Sequence, residues 1–132
     1  MYSSIFLGPP NSRTLRIYVA ARGGRFLGRG SAYAFYNENT DTDHVKYVDG
    51  LSTHEAEFRA VRYALRSVPV GSQIKIFSDS RFLVRLFNGK CLTREKRVVK
   101  LLAQSQEIIR ERQLTVTVKW VVPDDNIAND LL

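Results

Sequence analysis

The sequence predicts an α/β fold, in which helices flank a five-stranded mixed sheet made of a three-strand antiparallel meander plus parallel strands. Strand and helix patterns follow one another in the order β-β-β-α-β-α-α-β, and a further helical segment follows them. The first three strands are joined by connections too short for a crossover, whereas helical patterns separate the later strands. A length of 132 residues fits a single domain, 1–132, in which residues 1–12 form a loose lead-in.

Alternation of apolar and polar residues predicts the meander. In the first strand Leu15, Ile17 and Val19 alternate with Arg16 and Tyr18. The three strands are expected at residues 14–20, 29–36 and 45–48, with a glycine-containing turn at 22–25 and a polar loop at 37–43.

Helical spacing and cap residues predict the rest of the chain. The first helix begins at Ser52 and Thr53, with Glu55 in its first turn, and ends before Pro69 and Gly71. Three arginines on one side of this helix are expected to form a solvated face: Arg59, Arg62 and Arg66. The remaining elements are a strand at 74–77, helices at 81–87 and 95–112, a strand at 114–122 and a last helix that Asp124 or Asp125 would cap.

Composition narrows the function. The chain has 20 Lys and Arg against 13 Asp and Glu, and its formal net charge of +7 favours a polyanionic partner, although plain solubility would also explain it. The single cysteine, Cys91, rules out an internal disulfide and argues against a cysteine zinc site. No apolar stretch approaches the roughly 18 residues of a membrane span, and residues 1–10 lack a secretory signal. We therefore expect a cytoplasmic protein without a membrane partner.

Three carboxylates occupy positions where an α/β sheet usually offers a site, namely strand ends and helix starts. Glu57 is in the first turns of the first long helix, Asp79 ends the short central strand, and Asp130 follows the last strand. Each also has a plain structural explanation. Glu57 would be a helix-start charge, Asp79 the N-cap of the next helix, and Asp130 a solvated residue.

The segments around these carboxylates resemble motifs of the ribonuclease H family. Residues 53–60, Thr-His-Glu-Ala-Glu-Phe-Arg-Ala, resemble the helix that presents a glutamate beside a small residue. Residues 76–80, Ile-Phe-Ser-Asp-Ser, resemble the strand that ends in Asp-Ser. Residues 120–123, Trp-Val-Val-Pro, and 126–131, Asn-Ile-Ala-Asn-Asp-Leu, resemble the closing strand and the Asn-x-x-Ala-Asp segment. The resemblance extends from about Leu15 to Leu132 and implies a ribonuclease H-like fold.

Two positions depart from the family's pattern. Members usually end the first strand with an aspartate, and that position reads Ala20 here. The resemblance implies two magnesium ions, or manganese, held by Glu57, Asp79 and Asp130, with the first-strand aspartate bridging both ions. We therefore expect this chain to bind metal poorly and to cut hardly at all. The second departure, Asn129 in place of alanine, is expected to be tolerable.

The resemblance implies a metal-dependent endonuclease that hydrolyses the RNA strand of RNA/DNA hybrids, here in a form inactivated by alanine at position 20. We favour an introduced substitution, because the rest of the site is retained. The alternatives are a non-catalytic nucleic-acid-binding module on the same fold, and a resolvase or transposase domain. The sequence implies no protein partner. Catalytic positions Ala20, Glu57, Asp79 and Asp130 should converge, and the hybrid should contact Arg22, Arg25, Thr53, His54 and Ser80.

Overall fold

The computed structural model describes residues 13–24 and 30–132. The predicted lead-in, 1–12, and Arg25 therefore lie outside the described residues. The elements are β1 (Leu15–Arg22), β2 (Ser31–Asn37), β3 (Thr42–Val48), α1 (Thr53–Ser67), β4 (Gln73–Ser78), α2 (Arg81–Phe87), α3 (Lys96–Glu111), β5 (Thr115–Trp120) and two 3-10 helices, Pro123–Asp125 and Ile127–Leu131.

The sheet has the predicted mixed topology. Its strand order is β3-β2-β1-β4-β5. β2 runs antiparallel to β1 and β3, whereas β4 runs parallel to β1 and β5. The meander therefore forms one half of the sheet and the parallel strands form the other, which confirms the predicted fold class.

The main core lies between the sheet and the helices α1 and α3. Ile17 and Val19 of β1 point into this core with Phe58 and Leu65 of α1, and each is 2% exposed or less. A capping box fixes the start of α1, because Ser52 Oγ accepts from Glu55 N and the Glu55 carboxylate accepts from Ser52 N. This helix therefore begins and ends where the sequence indicates.

A smaller cluster covers the other face of the sheet. Tyr18 and Ala20 of β1, Phe77 of β4 and Ala128 of the last 3-10 helix pack together there. The buried Asn126 side chain donates from Nδ2 to the backbone oxygen of Val19 at 2.8 Å. This bond holds the C-terminal segment against β1 beside Ala20.

The structure corrects two predictions about element bounds. β3 begins at Thr42, inside the predicted polar loop, because its residues lie on an exposed edge strand where polar side chains are tolerated. The predicted last helix is two short 3-10 helices, and Asn126 caps the second of them by accepting from Ala128 N. Asp124 and Asp125 lie inside the first 3-10 helix and form no cap.

Among the helices of the described residues, none is both long and apolar enough to cross a membrane.

Candidate functional site

The register of β1 and β4 places Ala20 level with Asp79. Tyr18 pairs with Phe77 at the last position of the parallel ladder, and continuing that register by two residues brings Ala20 level with Asp79, the residue after β4. Ala20 is 5% exposed and packs in the smaller cluster. A side chain at position 20 therefore reaches the carboxyl end of the parallel strands, where the candidate site was expected.

Glu57 reaches the same end of the sheet from α1. Its Oε1 accepts a hydrogen bond of 2.8 Å from Ser80 Oγ. Ser80 is also the N-cap of α2, because the same oxygen accepts from Leu83 N at 3.1 Å. The alternative assignment of Asp79 as this cap was wrong, and Asp79 is free to face the C-terminal segment.

Asp79 is held by Asn129. Asn129 Nδ2 donates to Asp79 Oδ2 at 2.7 Å and also lies 3.2 Å from the backbone oxygen of Pro123. The Trp120 indole donates to the backbone oxygen of Asp79 at 3.2 Å. One oxygen of the Asp79 carboxylate therefore already has a donor from the protein. From the sequence, Asn129 was identified only as a departure from the motif's usual alanine, and this contact was not predicted.

Asp130 follows Asn129 on the last 3-10 helix, which places it on the same side of the sheet as Asp79. Its side chain is exposed. Among residues 13–24 and 30–132, no three or more His, Cys, Asp or Glu side chains group closely enough to hold a metal ion. The structure thus links Glu57 to Ser80 and Asp79 to Asn129, whereas Asp130 forms no side-chain hydrogen bond or ion pair with the described residues.

Burial makes Glu57 harder to ionise. Removal from water raises the pKa of its carboxyl group above the usual value, and the negative charge of Asp79 raises it further. The hydrogen bond from Ser80 and the positive potential of His54 act in the opposite direction. The carboxylate groups of Glu57 and Asp79, the two inner carboxylates of the site, therefore repel each other.

The residues expected to contact the substrate differ from one another in their surroundings. Gly23 packs so closely on the start of α1 that a Cβ atom there would lie 2.6 Å from Thr53 Oγ1, which brings the turn after Arg22 against Thr53. His54 is partly exposed but held by its neighbours, since its ring stacks on Phe82 at 4.0 Å between centroids and its Nδ1 lies 2.8 Å from Glu95 Oε2. Thr53 is exposed at the helix start.

These side chains do not fit the two magnesium ions that the resemblance implies. The position expected to bridge both ions is an alanine inside an apolar cluster. The inner carboxylates, Glu57 and Asp79, each accept a hydrogen bond from a neighbouring side chain. Magnesium requires several hard oxygen ligands in near-octahedral geometry. The arrangement instead keeps its shape through hydrogen bonds within the protein.

Comparison with known proteins places the fold and the family. LC11-RNase H1, isolated from compost, was solved in complex with an RNA/DNA hybrid; it is 19% identical with a TM-score of 0.79, over 89% of this chain and 93% of that one. RNase H1 from the halophilic archaeon Halobacterium salinarum is 15% identical with a TM-score of 0.77, over 90% and 94% of the two chains. The N-terminal RNase H domain of a Mycobacterium tuberculosis protein is 17% identical with a TM-score of 0.67, over 89% and 93%.

These identities support a shared fold alone. No curated protein matches the chain. The family model for RNase H, however, matches residues 20–130, which is most of the sequence. That match agrees with the strand order and with the parallel pairing of β1 and β4. The chain therefore belongs to the RNase H family.

Proposed function

We propose that this protein binds RNA/DNA hybrids as an RNase H domain and cleaves them hardly at all. Family membership supports the nuclease-type fold, and LC11-RNase H1 on the same fold forms a complex with an RNA/DNA hybrid. The net charge of +7 supports a phosphate-rich partner.

The hydrogen bond from Asn129 to Asp79 supports the proposal that the protein cleaves hybrids hardly at all. RNase H enzymes generally use divalent metals. Here Ala20 offers no ligand, and the amide of Asn129 occupies Asp79 Oδ2 at 2.7 Å. A neutral donor thus satisfies the carboxylate where a cation would otherwise be required. The residues that remain suit the binding of a duplex better than two-metal hydrolysis of its backbone.

The same bond bears on the origin of Ala20. A single substitution introduced at position 20 would leave the rest of the site arranged for metal, whereas Asn129 is a second change that compensates Asp79. This favours a member of the family that binds without cutting. The cleaving endonuclease remains the second candidate, because Glu57 and Asp79 lie at the same end of the parallel strands.

The experiment measures binding and cleavage on the same samples. A labelled RNA/DNA hybrid is titrated with protein at several salt concentrations in the presence of magnesium, and the RNA strand is then analysed for length. We expect intact RNA and an affinity that falls steeply with salt, because phosphate contacts release counterions.

Two arginine variants separate specific contacts from total charge. Arg22 precedes the turn that packs against Thr53. Arg22→Gln should lower the slope of log affinity against log salt by about 0.9, because one phosphate contact is lost. Arg66→Gln removes the same charge from an exposed position near the end of α1 and should leave the slope unchanged. Rapid cleavage of the RNA, or an affinity independent of salt, would contradict the proposed function.

A further inference from the structure

A basic groove lies between α1 and α3, away from the carboxylates. It has a volume of about 470 Å³, within the range of roughly 300–1,000 Å³ that ligand pockets span. The loop at 48–51 closes one side of it. Its charged lining consists of four cations and two carboxylates: Arg59, Arg62, Arg97, Lys100, Asp49 and Glu55.

The groove opens on a different side of α1 from the candidate site. Glu55, Arg59 and Arg62 recur at the helical spacing that places residues on one face. Glu57 follows Glu55 by two residues, so its side chain leaves the helix about 200° further around the axis. Glu57 contacts Ser80 there, outside the lining of the groove. The groove is therefore a separate surface.

Two of the three arginines of α1, Arg59 and Arg62, are half-buried rather than solvated, whereas Arg66 is exposed. Arg62 Nη1 donates to Gln104 Oε1 at 2.6 Å. Arg59 Nε is buried and has no hydrogen-bond partner among the residues that the structure describes. A buried donor without a partner loses its hydration and gains nothing in return. An anion in the groove would satisfy it.

Positive charge in the groove is only partly compensated. Glu55, which is 7% exposed, accepts from Arg97 Nη1 at 3.3 Å. Arg59 and Arg62 have no comparable carboxylate partner among the ion pairs of the described residues. Burial lowers the pKa of Arg62, and the positive charges of Arg66 and Arg59 lower it further. Among the described residues, the cations of the groove without a carboxylate partner are therefore Arg59 and Arg62 on α1 and Lys100 on α3.

We propose that this groove between α1 and α3 binds phosphate groups. Guanidinium groups present paired N–H donors that match phosphate oxygens, and the flexible Lys100 ammonium adds a mobile charge at the rim. Phosphate is favoured over an acidic peptide for two reasons. A phosphate group has a higher charge density than a carboxylate group, and the groove offers several donors around one cavity. The phosphate comes either from a nucleic-acid strand that passes outside the carboxylate site or from a free phosphorylated molecule.

The first test follows the arginine Nε–Hε signals by nuclear magnetic resonance. Inorganic phosphate and a short single-stranded DNA are added separately to the full chain. We expect the signals of Arg59, Arg62 and Arg97 to shift with inorganic phosphate. If the DNA shifts the same signals, the nucleic-acid backbone is a source of the phosphate; if it does not, the ligand is a free phosphate compound. A glutamate tetrapeptide that shifts these signals while phosphate leaves them in place would overturn the proposal in favour of an acidic partner.

Variants then assign the binding to the groove. Lys100→Gln leaves the internal hydrogen bonds intact and should weaken phosphate binding about threefold, the size of an exposed charge contact. Arg59→Gln with Arg62→Gln should weaken it roughly tenfold or more. The matched control, Arg66→Gln, removes one positive charge outside the lining and should leave the affinity unchanged.

If the double arginine variant does not fold, Lys100→Gln still tests whether the groove binds phosphate. Equal weakening in Arg66→Gln and Lys100→Gln would mean that only total charge matters, and the groove would not be a site. Thr53→Ala, at the start of α1, separates this proposal from hybrid binding, because it should weaken the hybrid complex while phosphate binding in the groove stays the same.

Discussion

Replacing Ala20 by aspartate should create a carboxylate at the position level with Asp79. In the parent protein Ala20 is 5% exposed and packs with Tyr18, Phe77 and Ala128. A new charge there would have apolar neighbours and a negatively charged one, and no cation beside it. Without metal, the substitution should therefore destabilise the fold.

The size of this effect follows from the burial. A buried charge without a partner costs about 3 kcal/mol or more, which lowers the melting temperature by about 10 °C in a chain of this size. Metal would reverse the loss. A free magnesium concentration about 100 times the dissociation constant returns about 2.7 kcal/mol, nearly the whole penalty. Ala20→Asp should therefore melt early without magnesium and near the parent temperature with it.

The assay combines thermal unfolding with cleavage of a labelled RNA/DNA hybrid. Ala20→Asp should gain magnesium-dependent cleavage of the RNA strand, and adding Asn129→Ala should raise it further by freeing Asp79 Oδ2. Ala20→Asn is the matched control, since it has nearly the same shape without the charge; it should show neither stabilisation by magnesium nor cleavage. Adding Asp79→Asn should abolish the cleavage. Cleavage by a contaminating nuclease would persist in that variant. If folded, hybrid-binding Ala20→Asp leaves RNA intact with magnesium and with manganese, the cleaving-enzyme hypothesis fails.

Three further predictions follow from single contacts. Asn129→Ala alone should tighten magnesium binding, measured as a larger rise of melting temperature with added magnesium than in the parent; an equal rise would mean that Asn129 does not compete for Asp79. Glu57 has a raised pKa, so its ionised form is disfavoured in the fold and its contribution to stability falls as pH rises through that pKa. Glu57→Gln should therefore be more stable than the parent near neutral pH, with an advantage in urea unfolding that shrinks toward about pH 4; a constant advantage would contradict this. Ser52→Ala should lose about 1 kcal/mol in urea unfolding through loss of the capping box with Glu55, whereas no loss would show that the cap contributes nothing.

Local signals account for what the sequence predicted well. Ser52, Glu55 and Pro69 each act within a few residues of their own position, and they set the start and end of α1 as expected. The antiparallel meander and the parallel strands followed from connection lengths, which are also local. β3 was placed too late, because an edge strand with both faces exposed loses the alternation that identifies a half-buried strand.

The contacts of the candidate site were beyond sequence reasoning because their partners are far apart in the chain. Asn129 and Asp79 are 50 residues apart, and nothing in either segment indicates the bond between them. Ser80 was expected to contact phosphate, yet its hydroxyl is already shared between Glu57 and Leu83 N. Arg59 and Arg62 were expected to be solvated, and the packing of α3 half-buries them, whereas Arg66 is exposed as predicted.

The bond from Asn126 to Val19 has a consequence for the order of assembly. It joins residues 107 positions apart, and it fixes the segment that presents Asn129 to Asp79. Closing so long a loop is slow compared with forming α1 or the meander, whose contacts are local. During synthesis, the apolar patch that Tyr18 and Ala20 form on β1 therefore stays uncovered until residue 126 has left the ribosome. The contact between Asn129 and Asp79 is therefore among the last in the candidate site to form.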